Sequence, residues 1–241
     1  YTRMVLNSPY FTLTSMGEVQ AAKWDISSPS WLWAYDITQE TTTHWNSFYS
    51  NIDNTNPISY AGGGAFKSIY SLLYAHIAPT DVRRNLYINR SEAPAIAYRY
   101  PQLPDYANLK YVTDTRFLGD YCFLRLEDPL LLYIEALVEK RELSRAQNTL
   151  TYFMQNFRDP YYTPTATDQA SMREEVRWQR RIELWGEGSS FFDFKRWGLG
   201  ANRTQTGSNH VYAIDVPAGD RRWVYQIPIS EIEANPNMVQ N

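Results

Sequence analysis

The sequence is poor in cysteine and histidine. Its single cysteine, Cys122, excludes an internal disulfide. The three histidines, His44, His76 and His210, are far apart and do not have the spacing of metal ligands. We therefore expect no metal site and no other cofactor.

Long runs of basic or apolar residues are also absent. No run of Lys and Arg exceeds two residues, and 23 basic against 26 acidic residues give a formal net charge of −3. Nucleic acid is therefore not an expected partner. No apolar stretch reaches the roughly 18 residues of a membrane-spanning helix.

A glycine cluster, Gly62–Gly64, precedes Lys67 but does not form the pattern of a phosphate-binding loop. Phe66 stands before the lysine where such a loop has glycine, and no apolar strand leads into it. The segment instead predicts a flexible entry to a helix, whose apolar residues at helical spacing are Phe66, Ile69, Tyr70, Leu73 and Ile77.

Aromatic residues are abundant, with 19 Tyr, 10 Phe and 8 Trp among 241 residues. Their rings suit a large core as well as a binding surface. In the stretch from Trp31 to Ile37 they alternate along the chain, which predicts a short strand with Trp31, Trp33, Tyr35 and Ile37 on one side.

The segment Thr38–Gly64 is a long polar stretch with embedded aromatic residues, and loops of this length inside a compact domain are usually functional or mobile. Sugar rings dock on aromatic faces, and amides and carboxylates bind their hydroxyls. We predict part of a glycan site here, with core packing of the rings as the alternative. Its members are the platforms Trp45, Tyr49 and Tyr60 and the polar partners Asn46, Asn51 and Asp53.

Charged and aromatic residues are mixed in the stretch Arg180–Gly198. A helix capped by Asp168 has apolar residues on at least two faces, so it should be buried on more than one side and its charges should be paired. Gly186 and Gly188 should end it, and Ser189 or Ser190 should cap a second helix. We predict a structural ion-pair network of Arg180, Glu183, Glu187, Asp193 and Arg196, with Arg180 as a buried partner of Glu183.

Other segments predict a helical hairpin and further short strands. Asp128 is expected to cap a central helix with Pro129 at its first position, and Ser144 with Gln147 to form the capping box of the next helix. Extended structure is expected within residues 111–126, an irregular surface segment at residues 93–108, and strands at residues 211–216 and 223–227.

Three segments, taken in order, resemble the SusD/RagB family of outer-membrane glycan-binding lipoproteins. The stretch Arg180–Gly198 is similar to the family signature ERR-EL-FEG-R-FDL-RWG, although Trp185 replaces Phe or Ala and Ser189-Ser190 replaces an Arg-aromatic pair. Residues 124–137 resemble the family's R-AE-LL-YAEAL helix, and residues 227–241 its closing IP-EI-NP-QN.

This resemblance implies a mainly α fold, a SusD-like C-terminal region of helical hairpins with long loops and a few short strands. It implies a chain about twice as long, with a lipid-anchored Cys and an array of tetratricopeptide-like helix pairs. Residues 1–13 are then expected to be the tail of the last such pair, and residues 14–241 the C-terminal domain. The family further implies non-catalytic glycan binding at the outer-membrane surface, in partnership with a SusC-like TonB-dependent transporter.

Two other functional classes remain open at this stage. A helical glycoside hydrolase would use Glu183 and Glu187 as its carboxylate pair, although the basic neighbours of Glu183, Glu187 and Asp193 favour ionised structural pairs. A helical-repeat scaffold for protein partners is the other alternative. Outward-facing rings in the Thr38–Gly64 loop would favour glycan binding, and two acids facing each other in a cleft would favour hydrolysis.

Overall fold

The computed structural model describes residues 2–22 and 24–240. Ten short to medium α-helices and a single two-stranded antiparallel sheet confirm the expected mainly α fold within these residues. The α-helices are α1 Thr2–Leu6, α2 Met16–Ala21, α3 Phe48–Ile52, α4 Ser71–Tyr74, α5 Pro94–Arg99, α6 Glu127–Glu139, α7 Leu143–Phe157, α8 Gln169–Glu183, α9 Ser189–Trp197 and α10 Ile229–Ala234. The strands are β1 Trp31–Tyr35 and β2 Tyr121–Arg125, and 3₁₀ helices span His44–Asn46, Val82–Leu86 and Arg221–Trp223.

The chain divides into two compact units, Tyr1–Glu187 and Gly188–Asn241. The helical hairpin α6–α7 and the helix α8 form the centre of the first unit. Their apolar side chains, among them Leu131, Ile134, Phe153 and Val176, are almost completely buried in one cluster. Burying each large apolar side chain contributes about 1.5 to 3 kcal/mol, so this cluster is the main stabilising core.

The predicted helix starts in this hairpin are each wrong by two residues. Helix α6 begins at Glu127, ahead of Asp128, and Pro129 is its third residue, where a missing N–H costs little because the first helical N–H groups have no intrahelical partner. Helix α7 begins at Leu143 without a capping box. The Gln147 side chain donates to the Ala166 carbonyl at 3.0 Å, a long-range partner that local spacing does not reveal.

Helix α8 begins as predicted, since the Asp168 carboxylate accepts a hydrogen bond from the Ser171 N–H at 2.8 Å. The helix ends at Glu183, and Gly186 follows with a φ of +80°. Any Cβ at position 186 would approach the Tyr111 ring to 2.7 Å, so glycine is required by space as well as by conformation.

The predicted helix after Gly64 shrinks to the single turn α4. The residues predicted to form its first turn instead pair with residues 106–108. The Ile69 N–H donates to the Tyr106 carbonyl at 2.9 Å, and the Lys67 carbonyl accepts from the Asn108 N–H at 3.0 Å. Long-range pairing thus prevails over helical spacing. The segment 93–108, expected to be irregular, contains the short helix α5.

Strand β1 forms as predicted but ends at Tyr35, and β2 lies within the segment 111–126 that was expected to be extended. The strand's side chains do not share one side as predicted. Trp31 is buried, whereas Trp33 and Tyr35 are 66% and 47% exposed. Two register irregularities flanking Trp33 explain this, because a bulge shifts the alternation of faces.

The second unit is built on α9, whose N-cap is Gly188 at a φ of +82°, so the predicted serine cap is wrong. The strand predicted at residues 223–227 is also wrong, because Trp223 ends a 3₁₀ helix, stacks on Phe194 at 6.0 Å and donates its indole N–H to the Pro217 carbonyl. At residues 211–216 the structure has a single bridge, from Val216 to Ala201.

Within residues 2–13, α1 is followed by turns and an irregular segment, and Leu6 and Leu13 pack against the core cluster of the hairpin. The assignment of residues 1–13 to a preceding helix pair stays a prediction. Among the described residues, no helix is both long and apolar enough to cross a membrane.

Candidate functional site

The Thr38–Gly64 loop has local structure that fixes its shape. A 3₁₀ turn, His44–Asn46, leads into α3, and the Ser47 hydroxyl caps α3 by accepting from the Ser50 N–H at 3.0 Å. The Ser50 hydroxyl accepts from the Tyr60 N–H at 3.1 Å, which ties the far end of the loop to this helix. Trp45 and Tyr60 are therefore presented from a rigid support.

Two of the predicted site residues belong to the interior. Tyr49 is 3% exposed and packs with Ile52, Tyr111 and Phe117. Asp53 is fully buried, and its carboxylate accepts from the Thr55 N–H, the Thr55 hydroxyl and the Thr113 N–H, each at 2.8 Å. The structure contradicts their assignment to the glycan site, because neither side chain is accessible to a ligand.

The remaining four predicted residues, Trp45, Asn46, Asn51 and Tyr60, are exposed. Trp45 and Tyr60 are 55% and 45% exposed, and their rings meet edge to face with centroids 5.4 Å apart and planes at 87°. Lys67 Nζ lies 5.5 Å from the Tyr60 centroid. Spacing in the sequence did not suggest Lys67, because this lysine reaches the ring from the next segment.

A second exposed aromatic pair lies on the sheet. Trp33 of β1 and Phe123 of β2 have centroids 5.1 Å apart, and Phe123 is 55% exposed. The Tyr121 hydroxyl of β2 accepts from the Phe48 N–H at 3.0 Å, so the sheet and the loop are directly connected. The sequence could not predict this pair, because the strand register decides which rings face solvent.

The acids at the end of α8 lie in a buried charge cluster. The Glu183 carboxylate accepts from Arg83, Arg125 and Arg158 at 2.7 to 3.0 Å. The Glu187 carboxylate accepts from Lys110 at 2.6 Å and from Arg125 at 2.8 and 2.9 Å. Every one of these side chains except Glu187 is at most 3% exposed.

Two further acids complete the cluster. Asp81 binds Arg83 through both carboxylate oxygens, at 2.6 to 3.1 Å. Glu127 Oε1 accepts from the Thr14 N–H at 2.7 Å and from Arg158 at 3.3 Å. Its other oxygen is 3.1 Å from Arg125 without hydrogen-bond alignment, so we regard that contact as an ion pair only. The four bases Arg83, Lys110, Arg125 and Arg158 thus balance the four acids Asp81, Glu127, Glu183 and Glu187.

The predicted pairing of Glu183 with Arg180 is wrong. Arg180 instead donates to Asp128 on α6 at 2.6 Å, because three arginines from other segments already surround Glu183. Asp193 and Arg196 lie on α9 in the second unit, where they form an i,i+3 salt bridge at 2.9 Å.

The basic side chains of the cluster keep Glu183 and Glu187 ionised. Burial alone would raise the pKa of Glu183, but the charges of Arg158, Arg125 and Arg83 outweigh it and hold the pKa well below 4.5. Burial is also the largest single influence on Glu187 and would raise its pKa. The charges of Arg125 and Lys110 together outweigh burial, so the pKa of Glu187 is lowered. Neither acid is therefore suited to donate a proton near neutral pH.

The SusD family model matches residues 87–241, well over half of the chain. The chain belongs to the SusD family. The match begins after the Thr38–Gly64 loop, so family membership rests on the segments that carry the hairpin, Arg125 and the α8 acids. No curated protein matches this sequence.

Solved structures of SusD-like proteins share the fold. A SusD superfamily protein from Bacteroides thetaiotaomicron matches with a TM-score of 0.76 and 24% identity over 100% of this chain and 55% of its own. A SusD-like carbohydrate binding protein from Bacteroides vulgatus gives 0.75 and 19%, over 99% and 54%. The surface glycan-binding protein A of Bacteroides thetaiotaomicron gives 0.66 and 15%, over 100% and 57%. The chain spans about half the length of each.

Proposed function

We propose that this chain binds an oligosaccharide or polysaccharide through the exposed rings of Trp45 and Tyr60. The observation that carries the proposal is this edge-to-face pair, held at 5.4 Å on a hydrogen-bonded loop in a chain of the SusD family. Two ring planes at nearly a right angle offer a sugar one face for stacking and a second wall beside it.

Polar groups beside the rings suit the edge of a sugar. Asn46 adjoins Trp45 in the 3₁₀ turn, and Asn51 lies on the following helix, both exposed. Lys67 adds three N–H donors near the Tyr60 ring. Because the loop is tied to α3, little conformational entropy is lost when a ligand orders these groups.

We further propose that the protein is not a hydrolase. Glu183 and Glu187 are the carboxylate pair that a hydrolase would use. Both are bound by Arg and Lys side chains and have lowered pKa values. A glycoside hydrolase needs one carboxylic acid whose pKa is raised and a second carboxylate facing it across the substrate. The paired cluster supports a structural role for both residues.

The cellular role follows from family membership as a proposal. Bound glycan would pass to a SusC-like TonB-dependent transporter, with the complete protein held at the outer-membrane surface by a lipid anchor. Residues 14–241 would then form the C-terminal domain of this longer protein, after a tetratricopeptide-like array that ends near residue 13.

The proposed function is tested by calorimetric titration of the chain with a panel of oligosaccharides and polysaccharides, each mixture also being assayed for new reducing ends. We expect at least one glycan to bind without release of reducing ends. Absence of binding across the panel would refute glycan recognition by this chain. Reducing-end release that is lost in a folded Glu187→Gln variant would refute the non-catalytic role.

A further inference from the structure

A second potential binding site lies in the first unit. A cavity of about 260 Å³ opens between α7, α8 and the loop segments 76–81 and 159–165. It shares no lining residue with the aromatic loop. Its volume is close to the lower end of ligand sites, which begin near roughly 300 Å³, so it suits a single small molecule or one sugar unit.

Two carboxylates in the lining keep an oxygen without a protein partner. Asp159 is only 2% exposed; its Oδ1 accepts from the Tyr161 N–H at 3.0 Å, and its Oδ2 accepts from no group of the described residues. Glu175 Oε1 accepts from the Tyr162 hydroxyl and the Gln179 amide at 2.9 and 3.1 Å, while its Oε2 has no such bond within the described part of the chain. Neither oxygen is a fully enclosed polar atom, so both stay accessible to a molecule in the cavity.

No lysine or arginine among the described residues lines the cavity. A third acid there, Asp81, pairs with Arg83, whereas neither Asp159 nor Glu175 forms a salt bridge within the described part of the chain. The only histidine in the lining, His76, has a pKa lowered by burial and further by Arg181, although Glu175 opposes the shift, so it adds no positive charge near neutral pH. The cavity therefore has a net negative lining.

We propose that this cavity binds a small molecule carrying a protonated primary amine, such as an amino sugar. An ammonium group has three N–H donors and no acceptor, which suits a lining whose acceptors include Asp159 Oδ2, Glu175 Oε2 and several hydroxyls. Thr80, Tyr161, Thr163 and Thr165 supply such hydroxyls. No group of three His, Cys, Asp or Glu side chains in the described ranges could hold a metal ion, which favours an N–H donor as the occupant.

The proposal is independent of the Trp45 surface and is tested with glucosamine, N-acetylglucosamine and methylammonium as probes in NMR titrations of the folded chain. Glucosamine should bind, and N-acetylglucosamine, which has the same ring without the charge, should bind at least about tenfold more weakly. If methylammonium also binds, the ammonium group alone is sufficient for binding. If glucosamine binds and methylammonium does not, the sugar ring also contributes. Equal binding of both sugars, or of neither, would overturn the proposal.

Two isosteric variants locate the site. Asp159→Asn and Glu175→Gln remove the charge but keep an oxygen for Tyr161 and for Tyr162, and each should weaken glucosamine binding about tenfold or more. Glu174→Gln, next to Glu175 on α8 but outside the lining, should leave binding unchanged. If both lining variants are folded by their thermal melts and bind glucosamine like the unaltered protein, the cavity is not the site.

Discussion

The charge cluster around Glu183 and the aromatic surface of Trp45 and Tyr60 differ in burial, in charge and in the segments that supply their side chains. The cluster consists of side chains supplied by distant segments, is almost completely buried, and has four bases matched to four acids. The aromatic surface consists of exposed rings from one loop, ahead of the residues that the family model matches. The residues of the cluster thus stabilise the fold, and the two rings that we propose to bind a glycan lie outside the family match.

The first way to break this comparison is to remove one charge from the cluster. Glu183→Gln leaves Arg83, Arg125 and Arg158 facing a neutral side chain, so four buried bases remain against three acids. Because a broken buried ion pair leaves an uncompensated charge, we expect the free energy of unfolding to fall by about 3 to 5 kcal/mol. Chemical denaturation of the variant and the unaltered protein measures it.

The matched control for this substitution is Glu174→Gln on the same helix. Glu174 is exposed and pairs with Arg177 at i,i+3, so its loss should change stability by less than about 1 kcal/mol. Equal stability of Glu183→Gln and Glu174→Gln would mean that the cluster does not hold the fold.

The second change tests the boundary between core and surface within the loop itself. Tyr49→Ala removes a buried ring so tightly enclosed that a Cβ at Gly119 would lie 2.3 Å from it. We expect a loss of about 3 to 5 kcal/mol in stability, as for other large aromatic side chains in cores. A melting temperature close to that of the unaltered protein would contradict the burial of Tyr49 and would make its ring a candidate for ligand stacking again.

These residues also show what the sequence can and cannot predict. Local sequence signals were sufficient to predict the start of α8, where Asp168 caps the helix as expected. The resemblance to the family was sufficient to predict the mainly α fold. The partners of Glu183 were not predictable, because Arg83, Arg125 and Arg158 come from three other segments. A ring in a polar loop gives no local sign of its burial, which is why Tyr49 was assigned to the surface. Trp33 was missed because the register of the two strands, which the sequence does not show, decides that its ring faces solvent.

The third prediction concerns acid. The folded pKa of Glu183 lies well below its ordinary value of 4.5, so its contribution to stability is complete above that pH and is lost as the pH falls toward the folded pKa. We expect the free energy of unfolding to decline more steeply below pH 4.5 in the unaltered protein than in Glu183→Gln. Denaturation curves across the acidic range give both slopes, and parallel slopes would show that Glu183 is not held ionised by its arginines.

The most direct measurement is a calorimetric titration of Trp45→Ala with a glycan that the unaltered protein binds, paired with a thermal melt. We expect binding to weaken by about 1 to 3 kcal/mol, by analogy with bases stacked on aromatic rings, and stability to change by less than about 0.5 kcal/mol. Tyr98→Ala, which truncates a ring that is 87% exposed elsewhere, should affect neither quantity. Unchanged glycan affinity in Trp45→Ala, or a large loss of stability without a loss of affinity, would contradict the separation of binding surface from structural cluster.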